Sequence, residues 1–592
     1  MRTALIGHRG VGKTSLLKRI ETYLRESGRD VHCFDLDREI EKRTGRTVAD
    51  IFAQDGEAAF RQKERDVFDE LSVVHGRVFL ALGAGFSPTK IPQSWRTLWV
   101  RRVSDPQGRI FTDRPRLNPR VSALEEYLER FEGRNKTYLA RADEVLIVDE
   151  GLEEPEVAEG DFFLDRFENL GGALTIFPAD IKPHRYVDFL QRRERWGIKW
   201  FELRDDLLSE EEMDRVIDIV APERILISFR SPERQASSRE RVEKHQLAFD
   251  WPLEMGDCSW AKPKIRSLHE RKGSLAEALT RLQAAGEGVL KAALPVKTFA
   301  ELREGWLWHK QDPEKRAFLP LSEDGRWSWF RALALGDRAL NFFRESDGSG
   351  KDQPTLLQWR RAHKRAEFAA VLGDPVSHSR TPMEQFSFFD LRKNSVVSVR
   401  VSEEEWDKGA IEVLREMGLR WAAVTSPLKE KAYALAEKDS TAETLKAVNT
   451  LVWRQGKWQG TNTDFAGLQE AVQALGPLGA TAVWGGGGTL NVVQKVLPQA
   501  ELFSARTGEN RRDARKPAGV CSPETVIWAV GRARAGSNEP PATWKPKLVI
   551  DLNYSDDSPG REFALRAGAK YVSGLAMFRA QAKAQRAFWE KT

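Results

Sequence analysis

Three groups of residues in this sequence have types and spacings that could do chemistry. Near the start, Gly7-His8-Arg9-Gly10-Val11-Gly12-Lys13-Thr14-Ser15 is an uninterrupted G-x4-G-K-T between an apolar run at 3–6 and a helical pattern. Glycines let backbone N–H groups close around phosphate, Lys13 reaches the terminal phosphates and the Thr14 hydroxyl can hold Mg2+. Gly7, Gly10, Gly12, Lys13, Thr14 and Ser15 therefore read as a cradle for a nucleoside triphosphate. In the middle of the chain Lys291 sits within an apolar run at 289–293, and His269 follows another at 264–268. A lysine kept from water loses its proton more readily, and the free amine can attack a ketone. The imine then draws a proton off the adjacent carbon, a step suited to an imidazole titrating near neutrality. Further on, Lys429 and Asp464 can act as a pair. A ketone becoming an alkoxide needs a proton or positive charge at oxygen, which an ammonium held by a carboxylate supplies.

A dinucleotide site is readable beside that pair. An apolar run at 481–484 meets Gly485-Gly486-Gly487-Gly488-Thr489 and then a helical pattern, which places a pyrophosphate at a helix N-terminus. The next run, 501–504, ends in Ala505-Arg506-Thr507 and not in an acid. An acid there would bind the ribose 2′-hydroxyl of NAD, whereas Arg506 favours the 2′-phosphate of NADP. Singly, these residues have plainer readings: a core histidine, a lysine that snorkels, a surface ion pair. Their company argues otherwise.

Apolar runs alternate with helical patterns almost throughout, the signature of α/β units. An acidic stretch at 149–161 and a Gly/Ser/Asp/Lys segment at 345–354, followed by a polar helix, break the chain in two places. The expected architecture is a P-loop domain at 1–155, a (β/α)8 barrel at 160–366, and a two-part α/β unit at 367–592. In the last, residues 367–470 plus the C-terminal helix would hold substrate and 471–570 would form a Rossmann domain for NADP.

With 592 residues the chain exceeds a single core. Its 93 basic and 88 acidic side chains nearly balance, so no nucleic-acid partner is implied. Arg360, Arg361, Lys364 and Arg365 read as a solvated helix face. Three cysteines far apart argue against a disulfide framework or a structural zinc site. A strand starting at Thr3 leaves no room for a signal peptide and no apolar run reaches membrane-spanning length, so cytoplasm and small-molecule substrates are expected. Whether the chain forms a homo-oligomer stays open.

The first region contains Asp35-Leu36-Asp37, Gly56-Glu57, Phe60-Arg61, Gly83-Ala84-Gly85, Asp113-Arg114-Pro115, and Arg134 four residues before Tyr138. Together with the P-loop these resemble shikimate kinase. The resemblance implies that Asp35 and Thr14 hold Mg2+, Asp37 polarises the acceptor hydroxyl, and Arg61 and Arg134 clamp its carboxylate. Gly83 and Gly85 would line the substrate, and Arg114 would close over ATP. Ala84 replaces a family glycine, so its methyl is expected to weaken substrate packing.

In the middle, Glu202-Leu203-Arg204, Ser228-Phe229-Arg230, Ser267-Leu268-His269, Leu290-Lys291-Ala292, Trp329-Phe330-Arg331 and Gln353-Pro354-Thr355, expected at the C-terminal ends of the barrel strands, resemble, in this order, type I 3-dehydroquinate dehydratase. Carried over, Lys291 forms the imine, His269 is the general acid and base, and Arg331 binds the carboxylate. Glu202, Arg204, Arg230 and Gln353 would line the pocket. The family's Glu-Gly-Gly after the arginine is replaced by Pro232-Glu233-Arg234-Gln235, so the acid that orients the histidine is shifted or lost.

The last region carries Ser379-Arg380-Thr381, Val424-Thr425-Ser426-Pro427-Leu428-Lys429, Ala447-Val448-Asn449-Thr450, Gly460-Thr461-Asn462-Thr463-Asp464, Tyr554 and Gly574-Leu575-Ala576-Met577. These resemble shikimate dehydrogenase. Ser379 and Thr381 would hold the carboxylate; Thr425, Asn449, Asp464 and Gln581 would meet the rest of the substrate; Lys429 and Asp464 would be catalytic. Ala423 and Ala505 stand where the family has asparagines, the first costing one substrate hydrogen bond. The three families perform consecutive steps, and their order is similar to the C-terminal part of the pentafunctional AROM polypeptide. Two readings follow: an enzyme turning 3-dehydroquinate into shikimate 3-phosphate with NADPH, ATP and Mg2+, or a metabolite-sensing regulator built from the same domains.

Overall fold

The computed structural model describes residues 2–26, 30–102, 123–148, 171–178, 181, 185–286, 288–334, 340–345, 350–362, 367–376, 379–486, 489–512, 522–530, 538–554 and 558–590. Arg114, Gly487, Gly488 and the expected break at 149–161 lie outside the described residues.

The N-terminal strands form a five-stranded parallel sheet in the order 32–35, 78–81, 2–6, 96–102, 144–148. Strand order reverses beside Arg2–Ile6, so its C-terminal end and that of His32–Asp35 open onto one crevice, where α/β sheets bind ligands. Asp35 ends its strand and caps the helix Leu36–Thr44 by accepting from Arg38 N at 3.3 Å, which fixes where its carboxylate points.

Eight parallel strands follow, 173–175, 200–204, 225–228, 248–252, 265–268, 289–292, 316–318 and 342–343, of which the first seven pair one to the next in chain order. Strand 342–343 returns beside 173–175, as in a barrel. No ladder joins 316–318 to 342–343 among the described residues, which leaves a seam. Ser209, Ser274 and Thr355 each start a helix with a capping box, so side-chain chemistry fixes where strand gives way to helix. One expectation needs correction: Arg331 does not end a strand but lies on the helix Ser328–Ala334, which crosses between the two seam strands.

The last region has two sheets. A six-stranded mixed sheet is ordered 395–400, 368–373, 419–424, 450–454, 457–461, 437–438, and a five-stranded parallel sheet 501–503, 481–485, 525–529, 548–551, 570–572. The C-terminal helix Leu575–Glu590 packs on the helix Asp464–Gln473. Gly467 permits the close crossing: a Cβ there would meet Met577 O at 2.8 Å.

Charged side chains knit the regions together. Glu144, on the last N-terminal strand, accepts from Arg96 at 2.8 Å, from Arg192 at 2.8 Å and from Arg193 at 3.2 Å, the last two on the barrel helix Tyr186–Arg195. Arg193 also binds Glu345 at 2.8 Å. Beyond the barrel, Arg326 pairs with Glu405 at 2.7 Å, Arg400 with Asp324 at 2.5 Å, and Trp329 packs on Phe368. Among the described residues no helix is long and apolar enough to cross a membrane.

Candidate active sites

In the first crevice, Gly7 is required by a close approach, since a Cβ there would collide with the Val100 carbonyl. Gly10 and Gly12 take φ of 73° and 99°, which L side chains rarely adopt. Lys13 Nζ donates to Gly7 O at 2.8 Å and His8 O at 2.9 Å, so its charge is held inside the loop. Thr14 Oγ1 donates to Asp35 Oδ2 at 2.5 Å, bringing the two expected Mg2+ ligands together. This cradle and donor set fit nucleotide phosphates with a divalent cation.

Alongside, Arg61 donates to Glu64 at 2.8 Å and to Glu57 at 3.2 Å. Burial raises the Glu64 carboxyl despite Arg61, and burial lowers the Arg134 guanidinium. Arg134 feels the Arg61 charge and makes no ion pair among the described residues. A Cβ on Gly83 would crowd Asp37 Oδ1 at 3.0 Å and Glu64 at 3.1 Å, and one on Gly85 would collide with the Arg61 guanidinium. A side chain at 83 or 85 would therefore have to push these pocket groups aside. Ala84 sits between them and offers its carbonyl to the Tyr138 hydroxyl at 2.8 Å, so its methyl stands at neither of these crowded positions.

Inside the barrel, Lys291 is 3% exposed and donates to Asp250 Oδ2 at 2.8 Å, with Glu202 3.5 Å away and the Phe342 ring beneath Nζ. Arg230 donates to the same Asp250 oxygen at 3.0 Å. Burial lowers Lys291 from the usual lysine range, with Asp250 opposing, and burial drives His269 well below its usual value. Arg331 is pulled down to about 10, again chiefly by burial. Asp250 Oδ1, Ser267 Oγ, His269 Nε2, Arg331 Nε and Gln353 Oε1 are buried without a hydrogen-bond partner. Unpaired buried polar atoms are costly, and five belonging to one pocket mark a place shaped for a polar ligand. Arg204 is turned to Asp206 at 2.6 Å, beside the pocket.

In the last region Lys429 Nζ donates to Asp464 Oδ2 at 2.5 Å, while Asn449 at 2.8 Å and Gln581 at 2.5 Å donate to Asp464 Oδ1. Four expected residues, from three helices and the loop before the strand Thr450–Arg454, thus meet at one carboxylate. Ser379 hydrogen-bonds Tyr554 and accepts from Thr381 N at 3.2 Å. The Thr425 methyl packs toward Gly373. Ala423 is corrected: it is 4% exposed in an apolar cluster with Phe389 and Trp589, so an asparagine lost there removes no contact from the cleft. Gly485 has φ 110°, and a Cβ there would meet Ala529 O at 2.6 Å, so backbone closes tightly round the turn and fits a pyrophosphate. Arg506 and Thr507 are exposed on the next loop, their N–H groups donating to Ser504 Oγ.

The sequence pattern of the Shikimate dehydrogenase substrate binding domain matches residues 371–451, and that of Shikimate kinase matches 9–159. A shikimate dehydrogenase (NADP(+)) of Xanthomonas euvesicatoria pv. vesicatoria is 33% identical over 252 residues, 37% of this chain and 89% of that one. The chain belongs to the shikimate dehydrogenase family. A second shikimate dehydrogenase (NADP(+)), of Paramagnetospirillum magneticum, is 35% identical over 28% of this chain, which spans 64% of that relative's length. Among solved structures, dehydroquinate dehydratase and shikimate dehydrogenase from S. pombe AroM aligns with 72% of this chain and 97% of its own, at 16% identity and a TM-score of 0.28. A shikimate kinase domain and a shikimate dehydrogenase domain are thus joined in one chain.

Two residues of these pockets were not singled out from the sequence. Glu64, three residues after Arg61, shares its helix face and pairs with it; that spacing was the available signal. Asp250 offered only an acid at the centre of Ala248–Pro252, otherwise apolar, and a charge in a buried strand calls for a partner.

Proposed function

We propose that the chain is a trifunctional enzyme that dehydrates 3-dehydroquinate through an imine on Lys291, reduces the product to shikimate, and phosphorylates shikimate. The observation that carries the dehydratase reading is the buried Lys291 amine among five polar atoms that lack partners. These atoms leave donors and acceptors free for a polar ligand beside the amine. The cofactors are ATP with Mg2+ for the kinase and NADP(H) for the dehydrogenase. Domains at 1–155, 160–366 and 367–592, with cytoplasmic residence, complete the proposal.

In the barrel, Arg331 is the carboxylate anchor, Lys291 the nucleophile and His269 the base that moves the proton from the carbon next to the imine. Burial that keeps His269 neutral leaves it able to accept that proton. In the dehydrogenase cleft NADPH supplies the hydride. Lys429, held by Asp464, gives a proton to the carbonyl oxygen as it becomes a hydroxyl, while Ser379 and Thr381 hold the carboxylate. In the kinase crevice Arg61 and Arg134 hold the shikimate carboxylate and Asp37 faces the hydroxyl, while Lys13 stabilises charge on the moving phosphoryl group.

The test is the purified chain given 3-dehydroquinate, NADPH and ATP with Mg2+, read by mass spectrometry for shikimate 3-phosphate. Accumulation of that product is expected. Dehydrogenase and kinase activity without consumption of 3-dehydroquinate would reduce the proposal to two activities, and silence in all three would favour the metabolite sensor.

A further inference from the structure

We propose that Asp250 is the acid that serves Lys291, relaying protons from its amine to the departing oxygen as the imine forms. The proposal rests on the imine reading above.

The acid expected after Arg230 does not enter the pocket. Glu233 is exposed, accepts from the Ser231 hydroxyl at 3.3 Å and lines an outer groove with Arg239 and Trp260. Its neighbour Arg234 turns inward to bond the carbonyls of Asp205 and Leu208, which holds the turn away from Lys291.

The nearby carboxylates are otherwise engaged. Glu202 accepts from Thr175 at 2.5 Å and Ser228 at 2.8 Å, so both its oxygens hold neighbouring strands in place. Asp205 accepts the backbone N–H groups of Arg230 at 2.7 Å and Ser231 at 2.9 Å, and Asp206 holds Arg204. Glu254 accepts from the N–H groups of His269 and Glu270, both at 2.7 Å. Asp250 differs: its Oδ2 already touches the reacting amine at 2.8 Å and its buried Oδ1 has no partner. Among the charges acting most strongly on His269, those of Arg230, Lys291 and Arg204 are positive and Asp250 supplies the negative one.

The chemistry balances on these groups. One ammonium proton of Lys291 passes to Asp250, the Nζ lone pair closes the C–N bond, and the carbonyl π pair moves to oxygen, which takes that proton from Asp250. A second Nζ proton follows the same route as the C–O bond breaks with its electron pair on oxygen. Water leaves and the nitrogen lone pair closes C=N. Both protons lost by nitrogen end on the departing oxygen, and Asp250 finishes ionised, as it began.

The experiment traps the imine on the full chain with 3-dehydroquinate and borohydride, following the Lys291 adduct by mass against time from pH 6 to 9, roughly bracketing neutrality. Asp250→Asn, Asp250→Glu and Glu233→Gln are compared, with shikimate oxidation by NADP+ as the fold control. Asp250→Asn is expected to trap about 100-fold more slowly. Its alkaline rise should move to lower pH, because the anion that keeps a proton on Lys291 is gone. Asp250→Glu should recover part of the rate, and Glu233→Gln should match the parent chain. Trapping by Asp250→Asn at the parental rate, or an equal loss in Glu233→Gln, overturns the proposal. Should Asp250→Asn lose the dehydrogenase control, Asp250→Glu decides, and a parental rate and pH profile there overturn it. A parent chain that forms no adduct at all refutes the imine reading itself.

Discussion

Arg193 of the barrel donates to Glu144 of the kinase sheet at 3.2 Å, with 0% and 4% of the two side chains exposed. Burial alone would raise the Glu144 carboxyl, but Arg96, Arg192 and Arg193 hold it well below the usual carboxylate range. Removing one partner of such a cluster strands the others without water. Glu144→Ala is expected to destabilise the chain by about 3 to 5 kcal/mol. Thermal melts should show it, with kinase activity and Lys291 trapping falling at the same temperature; independent losses would mean that the cluster does not couple the two units.

Acid should weaken the kinase part in two stages. Burial lowers His8 from 6.5 to about 4, with Asn135 opposing at 2.7 Å. Between those values the unfolded chain binds a proton that the folded chain refuses, so stability is complete above pH 6.5 and declines toward pH 4. The loss is on the order of 3 kcal/mol. Glu144 adds a second decline below about pH 4.3, where an unfolded glutamate protonates and the folded one does not. Denaturant titrations across this range should show the upper limb flattened in His8→Asn and the lower limb in Glu144→Gln.

Lys429→Ala and Asp464→Asn are expected to lower the dehydrogenase kcat by about 100-fold or more, the size of a lost proton donor and its holder. The double variant should be scarcely worse than either, because the pair acts as one unit at 2.5 Å. Steady-state kinetics would reveal additive losses if the pairing were incidental.

The exposed Arg506 should discriminate between dinucleotides. Arg506→Ala is expected to weaken NADPH binding by about 1.5 to 3 kcal/mol while leaving NADH almost untouched. Fluorescence titration gives both dissociation constants without turnover, and equal changes would contradict the assignment.

The glycine pair in the kinase pocket makes a sharper contrast. Gly85→Ala drives a methyl into the Arg61 guanidinium and should raise KM for shikimate at least tenfold, about 1.4 kcal/mol. Ala84→Gly should leave KM nearly unchanged, because the Tyr138 bond uses the backbone carbonyl. Kinase assays over a range of shikimate concentrations separate the two.

How far the sequence carried this picture varied with the physics of each element. The phosphate loop is a contiguous motif whose backbone demands are local, and the groups that meet at Asp464, though 35 and 117 residues away from it in the chain, each lie in a short motif of distinctive types and order. Strands as short as Arg316–Phe318 and Phe342–Phe343 are too brief for an alternating pattern to register, so the barrel's closing strands were missed. Arg331 was placed at a strand end because its motif follows others that are, whereas its backbone is helical. Arg192 and Arg193 stand in an arginine-rich stretch that looks like a solvated face, and only the fold reveals Glu144 and Glu345 waiting for them. Asp250 escaped notice because it stands outside the quoted motifs, a lone acid in an apolar strand whose partner Lys291 only the fold brings to it.

The helix bearing Arg331 links the two seam strands of the barrel in chain order, and Trp329, two residues earlier, leans on Phe368 at the first strand of the dehydrogenase. Cutting the gene between these regions would therefore do more than separate two units of the chain. It would bare an indole and a phenyl ring to water and remove the packing beside Arg331. Evolution, or a protein engineer, wishing to shuffle these modules would have to rewrite that seam first.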